Sequence, residues 1–307
     1  TAVRDVDTLS LYVLDTLLFG EQWEAFGGLR WDDWAIDALT IVNEYVNEAS
    51  RLANDSDFTN WHTGLVYKPV PNASVYAALS SSSNPSGELV DGGGADYGSI
   101  TPQNQSLDPE RNRNYEIGTK WAVADGHLLL TAALFRTEKT NARVTTGAGS
   151  AAVTNLEGEQ RVDGIELGMA GNFGERLSLF GGYTWLDTEI VSSPDPNQVG
   201  KSLPNVAERS FSLQARYQWT DAFAIGGTAS YASEINGGTV FATTTEIPDW
   251  WRGDLFAEYR FTAGLSARLN VLNVTDETYF DTLYRSATPF VYVAPGRSAQ
   301  LTFEYEF

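Results

Sequence analysis

Cysteine is absent from the 307-residue chain, methionine occurs once and histidine twice. Without thiols there is no disulfide framework and no thiolate metal site. No stretch approaches the roughly 20 consecutive apolar residues that a spanning helix needs, so transmembrane helices are excluded. Positive charge is also scarce: 20 Lys and Arg stand against 40 Asp and Glu, a net charge of -20. That balance argues against nucleic acid, whose phosphates would be repelled, and most of the carboxylates read as solvated loop surface. What the chain does have is 28 glycines, 14 tyrosines, 15 phenylalanines and 9 tryptophans, at a mean hydropathy of -0.24. A barrel whose strands cross with about ten residues of alternating character averages out as mildly polar in this way.

Alternation is plainest at the end of the chain. Across Arg297 to Phe307 (RSAQLTFEYEF), Ala299, Leu301, Phe303, Tyr305 and Phe307 share one parity, and Ser298, Gln300, Thr302, Glu304 and Glu306 share the other. A strand repeats every two residues, so the segment offers one apolar and one polar surface. A terminal aromatic on such a strand fits a closing barrel strand with lipid outside and water inside.

The same pattern recurs along the chain with alternating short and long connections. Strands are predicted at Val6 to Phe19, Trp23 to Trp34, Phe58 to Lys68 and Ser74 to Ser83, with tight links at Gly20 to Gln22 and Pro69 to Ala73. Further tight turns fall at Ala124 to Gly126, Asn172 to Glu175, Thr220 to Ala222 and Thr262 to Gly264. Long connections are expected at Ala35 to Asp57, Asn84 to Glu110, Lys139 to Glu159, Val191 to Val206, Glu234 to Pro248 and Thr275 to Gly296. The reading is all-β: an antiparallel transmembrane β-barrel segment of about thirteen strands, with short periplasmic turns and long extracellular loops. Single-chain bacterial barrels have even counts, so an odd one predicts part of a larger barrel. Thr1 is neither an initiator Met nor preceded by a signal peptide.

Parity assigns the faces. Phe211, Leu213, Ala215, Tyr217 and Trp219 oppose Ser210, Ser212, Gln214, Arg216 and Gln218, and Leu255, Ala257, Tyr259 and Phe261 oppose Asp254, Glu258 and Arg260. The apolar sets are expected on the lipid side, because Arg or Lys there costs about 2 to 4 kcal/mol at the midplane. Arg216 and Arg260 therefore point inward. Tyr217, Trp219, Tyr259 and Phe261, just before tight turns, are expected to form a periplasmic aromatic girdle. Leu301, Phe303, Tyr305 and Phe307 complete the membrane-facing set.

Glu110 to Val144 (ERNRNYEIGTKWAVADGHLLLTAALFRTEKTNARV) resembles the barrel of TonB-dependent siderophore receptors, especially the ferric-catecholate and hydroxamate group. Ser82 to Glu88 (SSNPSGE), Ser202 to Asn205 (SLPN), Leu269 to Tyr279 (LNVLNVTDETY) and Val291 to Phe307 are similar to the same group, as is Leu65 to Lys68 before its proline turn. The resemblance implies a bacterial outer-membrane location, a barrel of about 22 strands with a plugged lumen, and assembly in the bilayer by the barrel-assembly machinery. It covers the C-terminal part of such a receptor, so residues 1–307 are expected to be barrel, with the plug and the TonB-binding segment outside them. TonB would then act only through that N-terminal region, and this piece alone is not expected to transport.

The ligand implied is a ferric siderophore, as cargo rather than cofactor. An anionic, aromatic ligand needs cations and ring faces high in the vestibule, which nominates Lys139, Arg143, Arg161, Tyr284, Arg285, Phe290 and Tyr292. Asp91 to Gly98 (DGGGADYG) and Asn54 to Asp57 (NDSD) lack the ligand ladder of an EF-hand and read as flexible loops. An outer-membrane hydrolase would need Ser and His within hydrogen-bond reach. His62 shares parity with Asn60 and is expected in the lumen; His127 follows a periplasmic turn at headgroup level. Neither supports an enzyme. The alternative function is a passive pore without energy coupling.

Overall fold

The structure, a computed structural model, describes residues 2–43, 48–88, 100–146, 153–237, 246–284 and 290–306. Thirteen strands form one antiparallel sheet in chain order: β1 (Ala2–Phe19), β2 (Trp23–Asn43), β3 (Glu48–Val70), β4 (Ala73–Asn84), β5 (Glu110–Val123), β6 (Leu128–Thr146), β7 (Val153–Phe173), β8 (Leu177–Ser192), β9 (Arg209–Gln218), β10 (Phe223–Ala232), β13 (Trp250–Arg260), β14 (Leu265–Leu272) and β17 (Ser298–Tyr305). Two small hairpins interrupt the later connections, β11 (Ile235–Asn236) with β12 (Glu246–Ile247), and β15 (Phe280–Tyr284) with β16 (Phe290–Val293). The predicted long connections at Glu234 to Pro248 and Thr275 to Gly296 thus contain strand. The predicted tight turns hold their places; at Ala124, Asp125 and Gly126 three successive residues take φ of 51, 56 and 87, the left-handed geometry that joins twisted strands in two residues.

Register builds the two faces. Leu177, Tyr217, Ile225, Ala257, Leu269 and Leu301 sit side by side across six strands. Phe211, Leu213, Phe303 and Tyr305 belong to neighbouring rows of that face. Leu255 is 53% exposed, Leu301 58% and Phe303 64%. An apolar band this wide and this exposed is the outer surface of a membrane-spanning wall. At the periplasmic end Tyr217 meets Trp219 at 6.1 Å and Tyr259 meets Phe261 at 4.8 Å, both edge to face. Higher on the same face Trp251 packs on Tyr231 at 4.7 Å and on Phe211 at 6.3 Å. Phe307 lies outside the described residues.

The opposite face carries the polar partners. Arg216 pairs with Glu258 at 2.8 Å, and Arg260 donates to the Asp221 carbonyl at 2.7 Å. His62 lies there too, its ring 6.0 Å from Phe26. Phe26, Tyr76, Phe135 and Phe256 each lie across a glycine of the adjacent strand, Gly64, Gly118, Gly164 and Gly226, where a Cβ would come within 2.5 Å of the ring or its hydroxyl. The rings lie flat in the space the missing side chains leave, which keeps the inner wall shallow.

Two predicted loops are strand instead. β2 extends to Asn43 and β3 begins at Glu48, so both run into the predicted loop at Ala35 to Asp57, and β6 and β7 run well into Lys139 to Glu159. The cause is a change of phase. On β2, Ala25, Leu29 and Trp31 face outward, but further up the same parity carries Asp33 and Asp37, while Trp34, Ile36 and Ala38 face inward and are buried. Above the bilayer water replaces lipid outside, so the polar residues move to that face and the apolar ones turn in. Asn54 to Asp57 accordingly lies in β3, with Asn54 inward opposite Ile36 and Asp57 outward opposite Asp33.

Candidate ligand vestibule

The inward apolar set at the top of β2 and β3 is covered by the connection between β4 and β5. Trp34, Ile36 and Ala38 pack with Ile100, and Leu52 and Phe58 close around them. Gly87, at φ 92, sits where a Cβ would meet Ile36 at 3.0 Å and Trp34 at 3.3 Å. Only glycine combines that backbone with so close an approach. Asn54, 6% exposed, donates to the carbonyls of Gln105 at 2.8 Å and Leu107 at 3.4 Å. The described residues of the connection therefore line the inside of the rim, held by apolar burial and by an amide whose donors are both used.

Two of the nominated cations converge beside it. Lys139 reaches Glu110 at 3.2 Å and stays 28% exposed. Arg143, just past a bulge in β6 where Asn141 takes φ 54, has a side chain only 3% exposed. Its guanidinium donates to the Asn84 carbonyl at 2.7 Å and meets Glu88 at 3.3 Å, and its backbone N–H donates to Glu110 at 2.9 Å. Arg143 is thus enclosed between carboxylates rather than presented to a ligand. Arg161 is a correction of another kind: register places it on the outward face with Asp163 and Glu189, and it pairs with both. The strand extends beyond the predicted loop boundary, and parity carries Arg161 away from the lumen.

Tyr284, Phe290 and Tyr292 belong to the β15–β16 hairpin. Phe290 and Tyr292 are exposed and meet edge to face at 5.3 Å; Tyr284 pairs with Phe290 through the backbone. Arg285 lies outside the described residues. The hairpin's base is organised by Asn273, 1% exposed and at φ 50. Its backbone donates to Asp254 at 2.8 Å, its amide donates to the carbonyls of Glu277 at 2.8 Å and Pro295 at 3.3 Å, and its Oδ1 accepts from Glu277 N–H at 2.9 Å. Tyr279 stacks on Trp250 at 4.5 Å and accepts from Arg252 at 3.1 Å. Glu110 escaped the reading of single residues because its partners Lys139 and Arg143 lie 29 and 33 residues away, and Asn273 because Asp254 and Pro295 join its local turn only in the fold.

A cavity of about 500 Å³ opens near the ends of β8, β9 and β10. Asp187, Glu208, Glu234, Glu246 and Asp249 line it with Arg209 as the one cation. Lys139, Arg143, Arg161, Phe290 and Tyr292 do not. Its charge is opposite to what an anionic ligand requires.

Comparison with known proteins places this wall. Residues 1–274 match the family described as TonB dependent receptor-like, beta-barrel. The probable TonB-dependent receptor BfrD of Bordetella pertussis is 37% identical over 98% of the chain and 41% of its own length. The probable TonB-dependent siderophore receptor PiuA of Acinetobacter baumannii is 33% identical over 98% of the chain and 41% of its own length. The crystal structure of PiuA superposes with a TM-score of 0.89 at 31% identity, covering 98% of this chain and 43% of that one. The closed form of the ferric-catecholate import receptor Fiu from Escherichia coli K12 gives 0.85 at 27% identity, over 100% of this chain and 45% of that one. The chain thus spans about two fifths of the curated relatives it matches. It belongs to the TonB-dependent receptor-like β-barrel family, whose members reside in the bacterial outer membrane.

Proposed function

We propose that the receptor containing this wall imports ferric siderophores across the outer membrane, with energy supplied through TonB. The observation that carries the reading is agreement over nearly the whole chain with relatives named as siderophore receptors: PiuA, and the catecholate siderophore receptor Fiu of Escherichia coli, 31% identical over 91% of the chain. The substrate is a ferric chelate, handled as cargo. Contact with TonB falls to a part of the receptor N-terminal to these strands. With Arg161 on the outward face, Lys139, Phe290 and Tyr292 are the described nominees left with exposed surface to offer, and an anionic aromatic chelate would meet charge at the first and ring faces at the others. Tyr284 belongs to the same hairpin as Phe290.

The test is uptake of radioactive ferric catecholate and hydroxamate chelates by cells whose sole siderophore receptor is the whole protein, with and without TonB. Accumulation that depends on both receptor and TonB is expected. Accumulation unchanged by loss of TonB, with solute-independent conductance in planar bilayers, would overturn the reading in favour of a passive pore.

A further inference from the structure

We infer that Trp250 and Arg252 form an inner-wall subsite for a planar aryl oxyanion, which makes the receptor select catecholate chelates over hydroxamates. The ligand rests on the receptor reading above; the placement of ring and cation stands on geometry alone. Both residues share the inward parity of Phe256 and Glu258 on β13, opposite Ala232 and Ser230 of β10. Trp251 between them belongs to the upper aromatic group of the outer face, so the pair lies at the mouth of the lumen. The wall beside it is low. Ser230 is followed across the sheet by Ser212, and Ser212 and Ser210 are exposed. Their short hydroxyl side chains leave space next to the indole and the guanidinium.

The exposure of the ion pair decides what it offers. Asp254 is 11% exposed and Arg252 35%. The carboxylate is turned into the wall, where one oxygen accepts from the Asn273 N–H at 2.8 Å and the other from Arg252 at 2.8 Å. The guanidinium keeps the open side. Arg143 is the reverse case, 3% exposed beside a Glu88 at 26%. Tyr279, 4% exposed, supports both members of the subsite: its ring lies against Trp250 at 4.5 Å and its hydroxyl accepts from Arg252 at 3.1 Å. The hairpin holds Tyr279 in turn, through its carbonyl, which accepts from the Ala294 N–H at 2.9 Å. Ring and cation are therefore fixed before a ligand arrives, which lowers the ordering cost of binding.

An indole beside a guanidinium suits a flat ring that carries negative charge. Three doubly deprotonated catechols leave a ferric centre anionic and surround it with aryl rings. Three singly deprotonated hydroxamates leave it neutral, and an aliphatic hydroxamate has no ring to stack.

The experiment uses the whole receptor in detergent and two probes, the ferric complexes of 2,3-dihydroxybenzoate and of acetohydroxamate. Affinity is measured at low and high salt for wild type, Arg252→Gln, Arg252→Lys and Trp250→Leu. Hydrogen exchange at Glu277 and Ala294, whose amides are bonded at the hairpin base, reports whether the fold survives each change. Wild type is expected to prefer the catecholate. Arg252→Gln should weaken catecholate binding about tenfold and reduce its salt dependence, and Trp250→Leu should weaken it about fivefold with the salt dependence kept. Hydroxamate affinity and exchange should stay unchanged in both. Arg252→Lys, which keeps Asp254 neutralised, should retain the salt dependence, and it keeps the test available should Arg252→Gln loosen the hairpin.

Catecholate affinity unchanged in Arg252→Gln, or both probes weakened alike, would overturn the subsite. A wild type that favours the hydroxamate would overturn the selectivity and leave the receptor reading standing. Failure of both probes to bind, with no TonB-dependent accumulation of either chelate class in cells, would refute the receptor reading and the subsite with it.

Discussion

The extracellular rim is built in two ways. On the side of β2, β3 and β7 the strands run to 21, 23 and 21 residues, far beyond the membrane, and the wall is sheet lined from within by one connection. On the side of β9, β13 and β17 they stop at 10, 11 and 8 residues, and the rim is made of short hairpins organised by buried side chains such as Asn273. The long side obtains its order from backbone ladders and an apolar inner seam, so its stability is spread over many residues. The short side concentrates its order in a few hydrogen-bonded nodes. Substitutions should therefore act locally and severely at nodes of the short side, and according to face on the long side.

The face rule gives the largest expected effect. Ile36, 2% exposed, sits in the inner seam, whereas its neighbour Asp37 points outward. Ile36→Asp buries a carboxylate among Trp34, Ala38 and Ile100 and is expected to cost several kcal/mol of local order, on the order of 3 to 5. Asp37→Leu, one residue away, should remain within about 1 kcal/mol. Proteolysis of the β2–β3 extension in intact cells measures both, and equal sensitivity in the two variants would refute the change of phase. On the short side, Asn273→Ala removes an amide that satisfies two carbonyls and one N–H, at a left-handed φ where alanine is strained. A loss of about 3 kcal/mol is expected, read as exposure of the hairpin in hydrogen exchange. Protection unchanged across 276–284 would show that the hairpin does not depend on its node.

A smaller effect distinguishes the faces within the membrane. Phe303→Asp places a carboxylate in the outer row opposite Ala267, and Gln300→Asp places one in the inner row opposite Asn270. The first is expected to impair outer-membrane assembly by up to about 2 kcal/mol, and the second to leave it near normal. Heat-modifiable mobility and surface abundance report both, and impairment of the two alike would count against the assigned orientation.

Much of this was legible in the sequence, for physical reasons that also explain the rest. Phe211, Leu255 and Phe303 were assignable because a lipid-facing strand must keep one apolar parity, and Arg216 and Arg260 followed from the same rule. That rule holds with a single phase only as far as Trp31. Beyond Trp31 the apolar parity switches sides, so the stretch from Ala35 onward reads as polar loop when it is strand, with Ile36 and Ala38 turned inward beside Trp34. Arg161 was misplaced with it, and following the phase through Ile165 to Asp163 would have put it outside. Arg143 illustrates a different limit. Its cation is visible in the sequence, but its partners Asn84 and Glu110 become neighbours only when β4, β5 and β6 pair, and Glu88 only when the chain beyond β4 turns back, and pattern along the chain carries no record of either.

The gentlest probe of the long side is pH. Asp37 and Arg51 meet at 2.7 Å across β2 and β3 on the outward, water-facing surface, with side chains 48% and 71% exposed. The hydrogen bond from Arg51 holds the Asp37 carboxyl below its ordinary range, aided by charge attraction and opposed by slight desolvation. A carboxyl whose folded pKa is depressed adds stability that is present above its unfolded value, near 4, and is lost as pH falls through the lower folded value. At so exposed a site salt and water screen the pair, and the contribution is smaller than any of the foregoing. Amide exchange of the β2–β3 extension, corrected for the intrinsic pH dependence, should be flat from pH 7 to about 5 and should accelerate modestly below about 4. Arg51→Gln should remove part of that acceleration, as should molar salt. An acid response identical in Arg51→Gln would assign the sensitivity to the other outward carboxylates, and would mean that the extension is held by its inner seam and ladders with no help from this pair.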